Sequence, residues 1–308
     1  MRCRSAFTAA DKLPRRDFVA ALIASLAGAC QHTSGSGQAE SPPMTPAAIS
    51  PKSQRMPLLF LGHGSPMNAI EDNQWNRGWR TLGESIPKPR AILCISAHWF
   101  VPGTFVTGNL QPETIHDFGG FPRPLYEVRY PARGDIELAK LITTLLSSSR
   151  AEQRSDWGLD HGAWSVLMHL RPQADIPVLQ LSIDYRQPPA THLAIGKMLS
   201  VLREQGILII GSGNITHNLR LALRPGGTDS PTWATSFDAD VARALQQHDD
   251  AFLLRALTTD AGKIAHPTPD HYLPLLYVAG ARSTADSATF PLVGFDFGCL
   301  SMRSVLFS

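Results

Sequence analysis

Three histidines occupy equivalent places in the chain, each just past a short apolar run. Leu58–Leu61 leads into Gly62-His63-Gly64-Ser65-Pro66, Ile92–Ser96 into Ala97-His98-Trp99, and Ile207–Ile210 into Gly211-Ser212-Gly213-Asn214-Ile215-Thr216-His217. A single histidine after a strand is usually a surface or hydrogen-bonded loop residue. Three of them carried by three strands to the carboxyl edge of one sheet, where open α/β sheets bind ligands, converge on one point and suggest a shared metal ion. The glycines flanking His63 and preceding His217 let the backbone turn sharply beside the imidazole. No local ligand motif such as HExxH is present, so the fold itself has to assemble such a site.

Two further segments offer imidazoles. His266-Pro267-Thr268-Pro269-Asp270-His271 precedes an apolar helical stretch. His271, expected in the first turn of that helix and facing the sheet edge, is the better ligand candidate, with His266 on the loop. Asp160-His161-Gly162 opens another helix. An imidazole at a helix N-terminus is pushed toward its neutral form, which suits a hydrogen bond to a substrate and equally suits capping or simple exposure.

The elements that must position these residues are legible in the apolar pattern. Pro57–Leu61, Ala91–Ser96, Val178–Ile183 and Ile207–Ile210 are continuous rather than alternating, as strands covered on both faces require. Helical patterns lie between or after them at Asp135–Leu146, His161–Leu170, Thr191–Glu204, Phe237–Leu257 and His271–Ala279, and the tail Leu292–Phe307 returns to strand-like composition. This order predicts a single α/β domain with a central, mostly parallel sheet flanked by helices and a metal site at the carboxyl ends of the strands.

Composition narrows the class. The chain has 308 residues, 43% hydrophobic and 18% charged, as in an ordinary globular protein, and its 24 Gly and 24 Pro imply long loops. A net charge of +2, with no Lys/Arg run beyond the first sixteen residues, gives no electrostatic support for a nucleic-acid surface. Eleven histidines against four cysteines exclude a disulfide scaffold. Cys94 reads as a small buried hydrophobe, and a pairing of Cys94 with Cys299 is left open.

The first thirty residues read as an export signal. Arg15-Arg16-Asp17-Phe18 precedes an apolar run, Val19–Ala29, that is too short to span a bilayer. The paired arginines resemble the twin-arginine consensus, and Leu26-Ala27-Gly28-Ala29-Cys30 resembles a lipobox with Ala27 where Leu is usual. Residues 31–55, rich in Ser, Gly, Pro, Thr and Ala, read as a flexible linker, and 56–308 as the one folded α/β domain. The expected location is periplasmic, or anchored on the outer side of the inner membrane through a lipidated Cys30.

The segments LGHGSP (61–66), SAHW (96–99), IHDFGGFP (115–122), WGLDHGAWSVL (157–167), GSGNITHNLR (211–220) and HPTPDHYLPLLY (266–277) together resemble the class III extradiol ring-cleavage dioxygenases of the 4,5-DOPA dioxygenase type, related to the protocatechuate 4,5-dioxygenase catalytic subunit. The resemblance implies a non-heme, metal-dependent enzyme that opens the ring of a DOPA-like catechol with O2 to give a semialdehyde. It implies His63 and His98 as metal ligands and His271 where protocatechuate-type enzymes supply a Glu. His217 is implied as an active-site residue that either ligates the metal or acts as acid/base, the second being favoured, and His161 and His116 as residues around the substrate. Fe(II) is the implied cofactor for activity, with Zn(II) as an alternative occupant of a three-imidazole site. A zinc hydrolase and a non-enzymatic metal-binding lipoprotein are the competing readings.

Overall fold

Among the described residues there are ten strands: β1 (Leu58–Gly62), β2 (Ala91–Val101), β3 (Phe105–Thr107), β4 (Glu152–Arg154), β5 (Val178–Asp184), β6 (Ile207–Gly213), β7 (Ala288–Leu292), β8 (Phe295–Asp296), β9 (Leu300–Ser301) and β10 (Ser304–Phe307). The computed structural model describes residues 55–224 and 229–308. The twin-arginine signal, the lipobox at Cys30 and the linker up to residue 54 lie outside the described residues.

Eight strands form one sheet in the order β4-β3-β5-β2-β6-β1-β10-β7. The four central strands, β5, β2, β6 and β1, run parallel, while β3 and β10 pair antiparallel with β5 and β1 on either side. Every residue of β1, β5 and β6 is buried, which is why these strands read as unbroken apolar runs. Alternate side chains serve opposite layers. Leu58, Phe60, Leu93, Ile95, Ile207 and Ile209 pack toward the helices Ile136–Leu145, Pro189–Leu199, Thr232–Gln247 and Leu273–Ala281. Leu59, Leu61, Ile92, Cys94, Leu208 and Ile210 pack toward Gln74–Ser85 and His161–Leu170, where Trp79 and Trp164 fill the layer.

Several boundaries differ from the sequence expectation. The second strand does not stop at Ser96 but continues to Val101, with a register shift between Ile95 and Phe100 against β5. Three extra residues bulge there, and His98 is one of those displaced from the ladder. The single helix expected over Phe237–Leu257 is instead Thr232–Gln247 followed by Asp250–Arg255. His248, in the left-handed region at φ 56°, ends the first, and the Asp249 carboxylate caps the second. The last expected helix starts at Leu273 rather than His271, with Pro274 in its first turn. The helix Gln74–Ser85 and the short strands β3 and β4 are additions that the apolar pattern did not reveal.

Arg55, the last residue of the expected linker, is fastened to the domain by ion pairs to Asp286 at 2.8 Å and Glu204 at 2.9 Å. Asp286 is also gripped in bidentate fashion by the buried Arg203 at 2.6 and 3.0 Å. Cys94 and Cys299 are both buried and free, so the open disulfide question resolves against pairing.

Candidate metal centre and active site

His63 follows the last residue of β1, and its backbone N–H donates to Gly213 O at the end of β6. His98 stands on the bulge of β2, His161 begins the helix His161–Leu170, and His217 lies on the loop after β6. His271 sits just before the helix Leu273–Ala281, whose start is tightened by Tyr272 and Leu273 donating to Pro269 O. Two glycines permit this convergence. A Cβ on Gly213 would strike the carbonyl of His271, and one on Gly162 would strike Ser96 Oγ and approach His98 Cδ2 to 2.8 Å.

The imidazoles meet at one point. Nε2 of His63 and Nε2 of His98 are 3.2 Å apart. The ring centroid of His271 is 5.1 Å from both, and that of His161 is 3.8 Å from His98. Nδ1 of each ring is turned outward to a partner: His63 to Ser212 Oγ at 3.0 Å, His98 to Asp117 Oδ2 at 3.2 Å, and His271 to Asp270 Oδ2 at 2.5 Å. His161 Nδ1 lies 3.0 Å from Asp117 Oδ1, so one carboxylate orients two rings. Outer partners of this kind fix the tautomer and leave Nε2 as an inward lone pair, the usual arrangement behind metal-bound histidine.

The donor set fits a divalent cation. Two imidazole nitrogens bound to one ion at about 2.0–2.1 Å would stand about 2.9–3.4 Å apart, and the His63–His98 separation of 3.2 Å falls in that interval. The donor atoms of His63, His98 and His161 lie within 4.8 Å of one another. His161, read from sequence as a catalytic and substrate residue, is therefore part of the donor cluster as well.

Electrostatics favour neutral rings. Burial pushes His63 and His271 well below the ordinary imidazole value, and the neighbouring imidazoles add to this. Burial also lowers His161, and lowers His217 to about 3. His98 is the exception: burial works downward, but the hydrogen bond to Asp117 and the charges of Asp160, Asp117 and Asp270 outweigh it and raise the value. The same contacts to His161 and His98 hold Asp117 below the usual carboxylate range against its own desolvation.

A buried network fixes the helix start behind these rings. Asp160 caps Ala163 N, accepts from Ser96 Oγ at 2.6 Å and from Gln180 Nε2 at 2.7 Å, and its own N–H donates to Gln180 Oε1. Ser212, the partner of His63, donates to Gly162 O. Asp117, Asp160, Gln180, Ser212 and Asp270 are the positioning residues that the sequence reading missed. For three of them the signal was adjacency: Asp117 follows His116, Asp160 precedes His161, and Asp270 precedes His271, while nothing local marks Gln180 or Ser212.

The remaining expected residues take different places. His217 stacks flat on His271, with centroids 3.4 Å apart and planes 4° from parallel. Parallel rings in face contact direct their nitrogens along separate planes, so His217 is poorly disposed to share an ion that His271 would hold. His116 is outside the cavity lining. Its Nε2 is bonded to Val128 O at 3.2 Å, and its ring packs on Phe118, Tyr126 and Trp164, which makes it a support for the Phe118 wall. His266 is buried away from the cluster, with Nε2 on Ile215 O at 2.7 Å.

The cluster opens into a cavity of about 450 Å³ with His63, His98, His161, His217 and His271 at its base and Phe118, Phe121, Leu219, Leu223, Phe297 and Leu300 among its walls. A larger hollow of about 680 Å³ near Arg150, Asp184 and Arg186 includes none of these histidines.

A parallel α/β sheet with a buried polyhistidine centre at its carboxyl edge defines a metalloenzyme class. Residues 57–298 match the family described as the catalytic LigB subunit of aromatic ring-opening dioxygenase, and the chain belongs to that family, whose members are oxidoreductases that incorporate O2. A 4,5-DOPA dioxygenase extradiol of Escherichia coli K12 is 47% identical over 271 residues, covering 85% of this chain and 99% of that protein. One of Beta vulgaris is 37% identical over 258 residues, covering 81% and 96%. The crystal structure of an uncharacterized Escherichia coli K12 protein superposes with a TM-score of 0.73 at 42% identity, covering 82% of this chain and all of that one. Family membership sets the ring-opening reading above the zinc-hydrolase and non-enzymatic alternatives.

Proposed function

We propose that this enzyme cleaves the ring of a substituted catechol, outside the diol, with O2. The observation that carries the reading is the 3.2 Å approach of the His63 and His98 Nε2 atoms at the base of an aromatic-walled cavity. His63, His98 and His271 are the proposed ligands, each held by an outward Nδ1 partner. Bound Fe(II) would supply the redox link between an electron-rich ring and dioxygen that Zn(II), which has no redox chemistry, lacks.

The chain's own residues do the rest. Phe118, Phe121 and Leu300 confine a flat ring and exclude water from it. His217, neutral at physiological pH because of its burial, accepts the proton of a catechol hydroxyl and returns it to an oxygen of the ring-opened product. Stacking on His271 keeps its ring in one orientation while it does so. His161, oriented by Asp117 and seated at a helix N-terminus, hydrogen-bonds the substrate oxygen.

Loading metal-free protein anaerobically with Fe(II) or with Zn(II), then adding air and catechols, tests this. A yellow ring-opened product with Fe(II) alone is expected; equal product with Zn(II) would overturn the metal assignment. The location is also proposed: Arg15 and Arg16 direct export of the folded domain, and Cys30 tethers it. Cell fractionation of an Arg15→Lys, Arg16→Lys variant should show it retained in the cytoplasm, and unchanged export would contradict the signal.

A further inference from the structure

The histidine cavity does not end at its own walls. A second groove of about 460 Å³ is lined by His217, Asn218, Leu219, Arg220, Pro267 and Thr268, so His217 and Leu219 line both spaces. The two hollows thus share the ring proposed to handle the substrate's protons. Two bonds hold the strip between them: His217 N–H donates to Ala265 O at 3.0 Å, and Asn218 Nδ2 donates to Ile264 O at 2.6 Å. The Asn218 carboxamide also caps the short helix Leu219–Ala222 by accepting the Leu221 N–H at 3.2 Å. Arg220 therefore stands on backbone fixed against the segment that leads to His271.

Charge in the two hollows is one-sided. Among their described lining residues Arg220 is the only Lys or Arg, and the only carboxylate, Asp117, is engaged by His98 and His161. Arg220 is exposed, and its guanidinium has no ion pair or hydrogen bond among the described residues. Arg154, Arg186 and Arg243, also exposed, each close on a neighbouring aspartate. A guanidinium left open beside the histidine cavity presents a planar fork of donors matched to a carboxylate. Reach is sufficient, because three residues of chain span at most about 10–11 Å, and Arg220 follows His217 by three. Leu219, 50% exposed between them, offers an apolar surface to the methylenes of a substituent.

We infer that Arg220 is a specificity-determining residue of the site: it binds a carboxylate at the end of the catechol's substituent while the ring lies over the histidines. This rests on the proposed ring-cleavage reading and names the class of substituent. A contact to the substituent, away from the bond that breaks, holds substrate and transition state alike, so it acts through KM rather than kcat.

The test gives the Fe(II)-loaded protein L-DOPA and 3-(3,4-dihydroxyphenyl)propanoate, which carry a carboxylate, and dopamine and 4-ethylcatechol, which do not. Arg220→Gln should raise KM for the two carboxylates about tenfold or more with kcat little changed, and leave KM for the other two within about twofold. Arg220→Lys, which keeps the charge without the fork, should fall between. Arg224→Gln, four residues on and lining neither hollow, should change none of them. Calorimetric binding of L-DOPA to the Zn(II)-loaded protein, which needs no turnover, should weaken by the same factor in Arg220→Gln. An equal KM rise for all four substrates, or no rise for any, would overturn the inference and leave ring cleavage standing. A matching loss in Arg224→Gln would also overturn it, by assigning the effect to general positive charge. Cleavage of no catechol, with the calorimetric loss still seen, would remove the ring-cleavage reading and leave Arg220 as a carboxylate contact; absence of both would remove the two together.

Discussion

His217 lies face to face with His271 at 3.4 Å, while the Nδ1 edge of His271 is bonded to Asp270 Oδ2 at 2.5 Å. The proposed ligand ring and the proposed proton-handling ring are thus packed as a pair, and removing either has a distinct signature. His217→Ala should keep its metal and lose about a hundred- to ten-thousand-fold in kcat. His217→Phe, which preserves the stack without a titratable nitrogen, should lose as much. Metal analysis beside single-turnover rates checks this, and loss of metal in both variants would make His217 a ligand.

The ligand assignment predicts that His63→Ala, His98→Ala and His271→Ala each come away with little bound metal, since one lost donor leaves too few to hold a divalent ion. His161→Ala should retain it and instead raise KM. Metal content by atomic emission separates the cases. A metal-free His161→Ala with a loaded His271→Ala would move the third ligand to the helix start.

Asp117 is a single carboxylate serving two rings, His98 Nδ1 at 3.2 Å and His161 Nδ1 at 3.0 Å. Asp117→Asn keeps the shape and removes the charge that orients and enriches both imidazoles. Loss of such an outer partner typically weakens metal binding about 10–100-fold. Metal titration should show that weakening, and unchanged affinity would detach Asp117 from the centre.

Much of this site was readable before any coordinates. His63, His98 and His217 stood out because strands buried on both faces leave an apolar run, and each histidine follows such a run in the sequence. The helix His161–Leu170 was found to the residue because Asp160 caps it. What escaped detection depends on contacts between distant parts of the chain. Nothing local says that Gln180 on β5 meets Asp160, or that Ser212 on β6 meets His63. The continuation of β2 past Ser96 escaped because a bulge interrupts the pattern, and the break at His248 because helical periodicity runs on into Asp250–Arg255. His116 was expected near the substrate because its motif, IHDFGGFP, resembles the family's, yet its ring packs on Phe118 and Trp164 with Nε2 on Val128 O.

Buried neutral histidines make the metal-free domain sensitive to acid. Burial lowers His192 and His266 to about 4 and His217 to about 3. Their folded values lie below the unfolded value of about 6.5, so the unfolded chain takes up protons first as the pH falls. The stability they contribute is complete above about pH 6.5 and declines below it, by up to about 1.4 kcal/mol per pH unit for each group. His98, raised in the folded state, acts in the opposite sense. Melting temperatures of the metal-free protein should therefore fall steeply from pH 6.5 to pH 4, and a flat profile would contradict the burial of these rings.

Asp286 and Arg203 are each about 1% exposed and doubly bonded to one another. Asp286→Ala leaves a buried guanidinium without its partner and should cost about 3–5 kcal/mol in urea unfolding. A loss below about 1 kcal/mol would place the pair among the weak surface bridges.

The most direct measurement is the stoichiometry of ring opening, with an oxygen electrode and an absorbance record run together on the Fe(II)-loaded enzyme and a substituted catechol. Cleavage by dioxygen predicts one O2 consumed for each ring converted to the yellow semialdehyde, and neither signal in the His63→Ala, His98→Ala double variant. Product formed without oxygen uptake, or oxygen consumed with the ring intact, would contradict it.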